Sequence, residues 1–130
     1  MKIGCDTGFF VKLLDGDTKA LDVWTAVVNN DYQCVVSCVT LFELHRLALL
    51  EKIDLQGAKI MLGAISGVCK VLWCDSQEKL MMASKLSVDT SLSIIQSVIA
   101  MSFLFSKVTT IYTTDMAIKS LDPDITIIYL

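Results

Sequence analysis

The stretch VTTIYTTDM, residues 108–116, runs from residues suited to a buried strand straight into Thr-Thr-Asp. The opening MKIGCDTGFF, residues 1–10, does the same: a short apolar strand stops at Asp6 and becomes a helix. Two strands that each end on a carboxylate point to a site at the C-terminal edge of a parallel sheet. Between them the chain alternates short apolar runs with helical patterns. Strands are read at Lys2–Cys5, Gln33–Val36, Val68–Trp73, Val108–Tyr112 and Ile125–Tyr129. Helices are read at Thr7–Leu14, Thr18–Asn30, Cys38–Lys52 after a Ser37 cap, and Asp54 to about Gly67. Asp75 is expected to cap a helix to about Leu86, and a break at Ser87–Ser91 precedes an apolar helix at Leu92–Phe105. Asp115–Ser120 reads as a helical turn. Short apolar strands separated by helices indicate a parallel sheet covered on both faces. The expected fold is α/β: one three-layer α/β/α domain over residues 1–130 with a central, mainly parallel sheet of about five strands.

At 130 residues the chain fits one domain and leaves little room for two. It is 54% hydrophobic and 19% charged, which allows a large core. Mean hydropathy is +0.61, high enough to raise a membrane reading. The longest apolar stretch, Leu92 to Phe105, is interrupted by Ser93, Gln96, Ser97 and Ser102, too short and too polar to span about 30 Å of hydrocarbon. A buried central helix, or one at a subunit interface, is expected there. Asp6 falls where the apolar region of a signal peptide should be, so the expected location is cytoplasmic. A net charge of −3, with Arg46 the only arginine, does not suit a broad basic nucleic-acid surface. Any contact with nucleic acid must be local or cation-mediated.

The five cysteines are an odd count, which argues against a disulfide framework. Cys34-x3-Cys38 and Cys69-x4-Cys74 raise a zinc site, but both gaps are wider than the common two-residue spacing. Buried, inert thiols are the expectation.

Three carboxylates fall where ligands bind in such sheets, beyond the strand ends. Asp6 follows the first strand and Asp115 the fourth. Glu43 lies in SCVTLFELHR, residues 37–46, on the helix after the second strand, among apolar Leu41, Phe42, Leu44 and Leu47. Converging carboxylates are costly unless a divalent cation offsets them. Such a set would bind Mg²⁺ or Mn²⁺ and activate water for attack on a phosphodiester. Each residue also has an ordinary explanation: Asp6 and Asp115 as helix caps, Glu43 as a solvated residue. His45 points roughly 200° away from Glu43 around the helix, a poor chelating pair, and is expected at the surface. Met61, Met81, Met82, Met101 and Met116 are expected to fill core or interface, and Trp24 and Trp73 to lie in the core.

Four segments in order along nearly the whole chain resemble the PIN domain family, in its VapC-like toxin branch. IGCDTGFFVKLL (3–14) is similar to its hydrophobic-Asp-Thr/Ser opening and SCVTLFEL (37–44) to its lead into a helical Glu. LSIIQSVIAMSF (92–103) resembles its Leu-Ser-x-x-Asp-x-x-Ile-Ala-Ala helix, and IYTTD (111–115) its closing Thr-x-Asp. The resemblance implies an acidic pocket that in active members binds Mg²⁺ or Mn²⁺ and hydrolyses RNA. On that reading Asp6, Glu43 and Asp115 hold the ion, and Thr7 and Thr113 orient the carboxylates. The third acidic position falls on Gln96, which offers a carbonyl oxygen without charge. Asp89 is a possible substitute acid, seven residues earlier. Gly8 stands where the family often has Ser or Asn, and is expected to loosen the turn after Asp6. The resemblance also implies an RNA substrate, a small antitoxin partner and a homodimer, with no membrane. The alternative is a degenerate PIN domain that binds RNA or a partner without cutting.

Overall fold

A computed structural model describes residues 1–119 and 121–130. The elements run β1 (Lys2–Cys5), α1 (Thr7–Leu14), α2 (Thr18–Val28), β2 (Gln33–Ser37), α3 (Cys38–Leu49), α4 (Leu55–Val68), β3 (Lys70–Leu72), α5 (Gln77–Thr90), α6 (Ile94–Phe105), β4 (Thr110–Thr113) and β5 (Thr126–Tyr129). The five strands form one sheet in the order β3-β2-β1-β4-β5, and every pairing is parallel. From β1 the chain first builds outward through β2 and β3, then returns to add β4 and β5 on the other side. The order therefore reverses between β1 and β4, and such a switch point opens a crevice at the strands' C-terminal ends. Asp6 and Asp115 follow the two strands that flank it.

The period-two alternation of the strands divides the core between the two faces. Ile3, Cys5, Cys34, Val36 and Tyr112 join Phe9, Phe10, Leu44 and Ile65 on one side. Val35 and Ile111 pack with Ile99, Met101 and Phe103 of α6 on the other. Phe9 and Phe10 are fully buried, each contributing about 1.5–3 kcal/mol. Phe10 sets its edge against Trp24 at 5.8 Å, which places Trp24 in the core margin as expected. Gly4 is required where β1 passes under α6: a Cβ there would lie 2.5 Å from the Phe103 ring.

Local chemistry explains most boundaries. Asp17, Ser37 and Asp54 cap α2, α3 and α4 by accepting backbone N–H bonds. α4 runs through Val68, with Cys69 as its cap, so β3 is only three residues long and not the strand expected from Val68 to Trp73. Ser76, not Asp75, caps α5, while Asp75 pairs with Lys79 at 2.7 Å. No break occurs at Ser87. α5 contains no glycine or proline, and it continues to Thr90 before Ser91 turns left-handed at φ 58°. α5 and α6 then meet at a 115° bend. After β4, Asp115 organises a short turn through Ala117 and Ile118 N–H bonds instead of a helical one. Ser120, the expected end of that turn, lies outside the described residues.

Several apolar side chains lie outside, among them Trp73, which was expected in the core. Val28 is half exposed, and Ile60, Trp73, Met81 and Met116 are more exposed still. Met61 and Met101 are core residues, as expected. Cys5 and Cys34 are buried, but Cys38, Cys69 and Cys74 are only partly so, and all five are free thiols. Cys69, just before β3, lies within hydrogen-bonding reach of Cys34 at the start of β2. Burial pushes the Cys5 and Cys74 thiols up, and hydrogen bonding to Cys34 raises Cys69, so these thiols stay protonated. Among the described residues no single helix is long and apolar enough to cross a membrane.

Candidate active site

The crevice above β1 and β4 is a cleft of about 190 Å³ lined by Asp6, Thr7, Gly8, Glu43, Gln96 and Asp115, with Ile95, Ile99 and Thr114 completing the wall. Four separate elements deliver these groups. Asp6 leaves β1 and caps α1, its Oδ1 accepting the Phe9 N–H at 3.0 Å. Its Oδ2 accepts the hydroxyl of Thr113, the last residue of β4. The Thr113 oxygen in turn accepts the Asp115 N–H at 2.8 Å. One fully buried threonine thus fixes both the side chain of Asp6 and the backbone of Asp115. Asp6 serves as a helix cap and lines the cleft, so its two readings coexist.

Glu43 is held from the other wall. Thr7 donates its hydroxyl to Glu43 Oε1 at 2.6 Å and lies 3.1 Å from the Thr40 hydroxyl. Thr7 has one proton, so Thr40 donates to Thr7 while Thr7 donates to Glu43. Thr40 is fully buried one turn before Glu43 and was not singled out in the sequence. The Ser/Thr-rich lead into the helix was the available signal.

Asp6 is 5% exposed. Burial raises its pKa, with the Asp115 and Glu43 charges adding in the same direction, while the Thr113 and Phe9 hydrogen bonds oppose the rise. Three carboxylates around one small cleft form a hard, all-oxygen donor set that suits Mg²⁺ or Mn²⁺. Among the described residues, however, no three carboxylates, thiols or imidazoles stand close enough to chelate a single ion as their side chains lie. An ion would have to complete its shell with water.

Gln96 lines the cleft, but not as an offered carbonyl oxygen. Its Oε1 accepts the Ser93 N–H at 2.9 Å while Ser93 Oγ accepts the Gln96 N–H, a reciprocal capping box that starts α6. Its amide Nε2 donates to Asp115 Oδ2 at 2.8 Å. The glutamine therefore binds a carboxylate, and its oxygen is already engaged by one backbone N–H. Asp89 does not line the cleft. It sits near the end of α5, paired with Lys85 at 2.6 Å. Gly8 is explained by Thr114: a Cβ at position 8 would lie 1.8 Å from Thr114 Oγ1. The Thr114 side chain fills the space that a larger residue would take, so the turn is tight instead of loosened. His45 is exposed on α3.

No protein-family model matches the chain, and neither does any curated protein. Solved structures match over most or all of its length. VapBC2 from Rickettsia felis, bound to a DNA fragment from their promoter, aligns with a TM-score of 0.74 at 14% identity, covering 100% of this chain and 99% of that one. A toxin-antitoxin complex from Klebsiella pneumoniae aligns at 0.74 and 16% identity over 95% of each chain. VapC20 of Mycobacterium tuberculosis, a sarcin-ricin loop cleaving toxin, aligns at 0.66 and 19% identity over 88% of this chain and 90% of that one. The α/β/α fold with its all-parallel sheet is the VapC-like PIN fold that the four sequence segments resemble.

Proposed function

We propose that this chain is a metal-dependent ribonuclease of the VapC toxin type, with activity reduced by glutamine at position 96. The observation that carries the reading is the convergence of Asp6, Glu43 and Asp115 on one cleft at the β1/β4 switch point. Asp6, Glu43 and Asp115 would hold Mg²⁺ or Mn²⁺, directly or through water. When bound, the ion lowers the pKa of a water molecule and offsets charge on the phosphate oxygens. The protein's own part is positioning. Thr113 locks Asp6 against Asp115, the Thr40–Thr7 relay locks Glu43, and the buried floor keeps bulk water away from Asp6. Gln96 ties down Asp115 without adding charge.

The test is calorimetric titration of Mn²⁺ into the wild type and an Asp6→Asn variant, followed by RNA cleavage assays. Binding that the variant loses, with cleavage that depends on added metal, is the expected result. No Mn²⁺ binding by either protein would overturn the metal centre. One observation favours a second reading, a non-cutting PIN module that binds RNA or a protein: both functional atoms of the Gln96 amide are already engaged within the chain. Metal binding without cleavage by the wild type would favour it.

The proposed partners are an RNA substrate and a small antitoxin, in keeping with the toxin-antitoxin complex from Klebsiella that shares the fold. A homodimer is also proposed, through the α5–α6 face, where Leu80, Met81, Val88 and Ile94 are all more than half exposed. Light scattering coupled to gel filtration would show it as twice the mass of one chain. The proposed setting is the cytoplasm, where five thiols stay reduced.

A further inference from the structure

Beside the carboxylate cleft lies a second one of about 230 Å³, and the two share Glu43 and Ile95 as a common wall. Phe42, Arg46 and Leu47 line the rest of the second cleft. Phe42 and Arg46 stand one turn apart on α3, neighbours at i and i+4 separated by about 6 Å along the axis. The buried side of that helix is Thr40, Leu44 and Ala48, so both residues point away from the core. Phe42 is 63% exposed, whereas Phe9, Phe10 and Phe103 are fully buried. Arg46 is exposed and is the chain's only arginine, and among the described residues it takes part in no salt bridge.

We infer that Phe42 and Arg46 form a nucleotide subsite that holds the base and phosphate adjoining the phosphodiester in the carboxylate cleft. The inference rests on the ribonuclease reading of that cleft. A chain of net charge −3 gains little from counterion release over a broad surface, so a single strand needs another hold. Stacking a base on an aromatic face supplies one and tolerates any sequence. The Arg46 guanidinium meets the phosphate of the same nucleotide and offsets the repulsion from Glu43 next to it. Bases paired inside a duplex cannot reach the ring, so the subsite selects single-stranded RNA. An aliphatic protein side chain would fill the Leu47 and Ile95 wall equally well but would give the Phe42 ring no stacking partner and the guanidinium no phosphate.

The test is fluorescence anisotropy with fluorescein-labelled oligoadenosine and oligouridine, with and without Mn²⁺, read before cleavage accumulates. Phe42→Ala is expected to weaken oligoadenosine binding by roughly 5- to 150-fold and oligouridine by less, with Phe42→Trp restoring it. Arg46→Gln is expected to flatten the salt dependence by about 0.7 in the log–log slope, the share of one phosphate contact. Leu49→Ala, on the same helix outside both clefts, controls for folding and is expected to change neither. If wild-type protein binds RNA and Phe42→Ala binds it equally well, the subsite is wrong and the ribonuclease reading stands. The same outcome with loss of a co-purifying protein would make the face a protein surface, and also overturn it. If the wild type binds neither oligonucleotide under either condition, the ribonuclease reading falls and takes the subsite with it.

Discussion

Replacing Gln96 with aspartate restores charge at the cleft, and its effect on stability can be worked out from two bonds. The shorter side chain loses the Oε1 contact to the Ser93 N–H and the Nε2 donation to Asp115 Oδ2. The first is a neutral hydrogen bond near the surface, and the second goes to a charged acceptor in a half-buried setting. Together they contribute about 2–3 kcal/mol, and a new carboxylate facing Asp115 adds repulsion. A chain of 130 residues unfolds with about 0.27 kcal/mol/K of entropy, so metal-free Gln96→Asp should melt about 7–11 °C below the wild type. Mn²⁺ reverses the balance if position 96 faces the ion. If the variant binds Mn²⁺ about a hundredfold more tightly than the wild type, saturating metal returns about 2.7 kcal/mol more to it, enough to close the gap. The assay is thermal melting of both proteins after chelation and again with saturating Mn²⁺, beside RNA cleavage. Equal metal-free melting temperatures would show that the Gln96 bonds do not hold α6 to Asp115. Equal stabilisation of both proteins by Mn²⁺ would show that position 96 does not face the ion.

Thr113→Val should destabilise the fold by about 1–3 kcal/mol, since it strands the Asp6 carboxylate and the Asp115 N–H, whereas Thr113→Ser should stay near wild type in denaturant titration. The same valine variant should bind Mn²⁺ about 10- to 100-fold more weakly by calorimetry. Burial raises the Asp6 pKa in the folded chain, so the favourable contribution of its protonated form is complete below the unfolded value near 3.8 and is lost as pH rises through the folded value. Asp6→Asn cannot ionise, so its melting temperature should exceed the wild type's at neutral pH, with the advantage shrinking in acid; a constant difference across pH would refute this. Gly4→Ala should cost about 1–3 kcal/mol by driving a methyl into the Phe103 ring, and Phe103→Leu should recover part of the loss.

Alternation and punctuation carried most of the fold into view. Apolar runs ending on Asp6 and Asp115, separated by helices, require a parallel sheet, and position 6 lands beside position 115 because β1 is the strand from which the chain reverses. The errors have physical causes. Ser87 and Ser91 read as a break, yet only Ser91 leaves the helix: Ser87 turns its hydroxyl back onto the Ser84 carbonyl, and no glycine or proline interrupts the turn that follows. Asp75 and Ser76 are both good caps, and the Asp75 pairing with Lys79 left the capping to Ser76. Trp73 and Ile60 are apolar by type but lie beyond the reach of either core cluster. Asp6 and Asp115 were visible at strand ends, and Glu43 inside the helix that follows the second strand. The roles of Thr40 and Thr114 were not, since they depend on contacts between residues far apart in sequence. Nor could the chain alone show how Gln96 spends its amide, because a capping residue and a cleft residue look alike until the helix start is located.

The hydroxyl bond from Thr113 to Asp6 joins residues separated by 107 positions in a chain of 130. β1 sits in the middle of the finished sheet and cannot gain its second neighbour until β4 has been made. Closing such a long loop is among the slow, late events of folding. A partly synthesised chain would therefore carry Asp6 and Glu43 without Asp115 or the threonine that aligns them. On the ribonuclease reading proposed above, a chain in which β4 has not yet docked has an incomplete cleft and should not cut RNA.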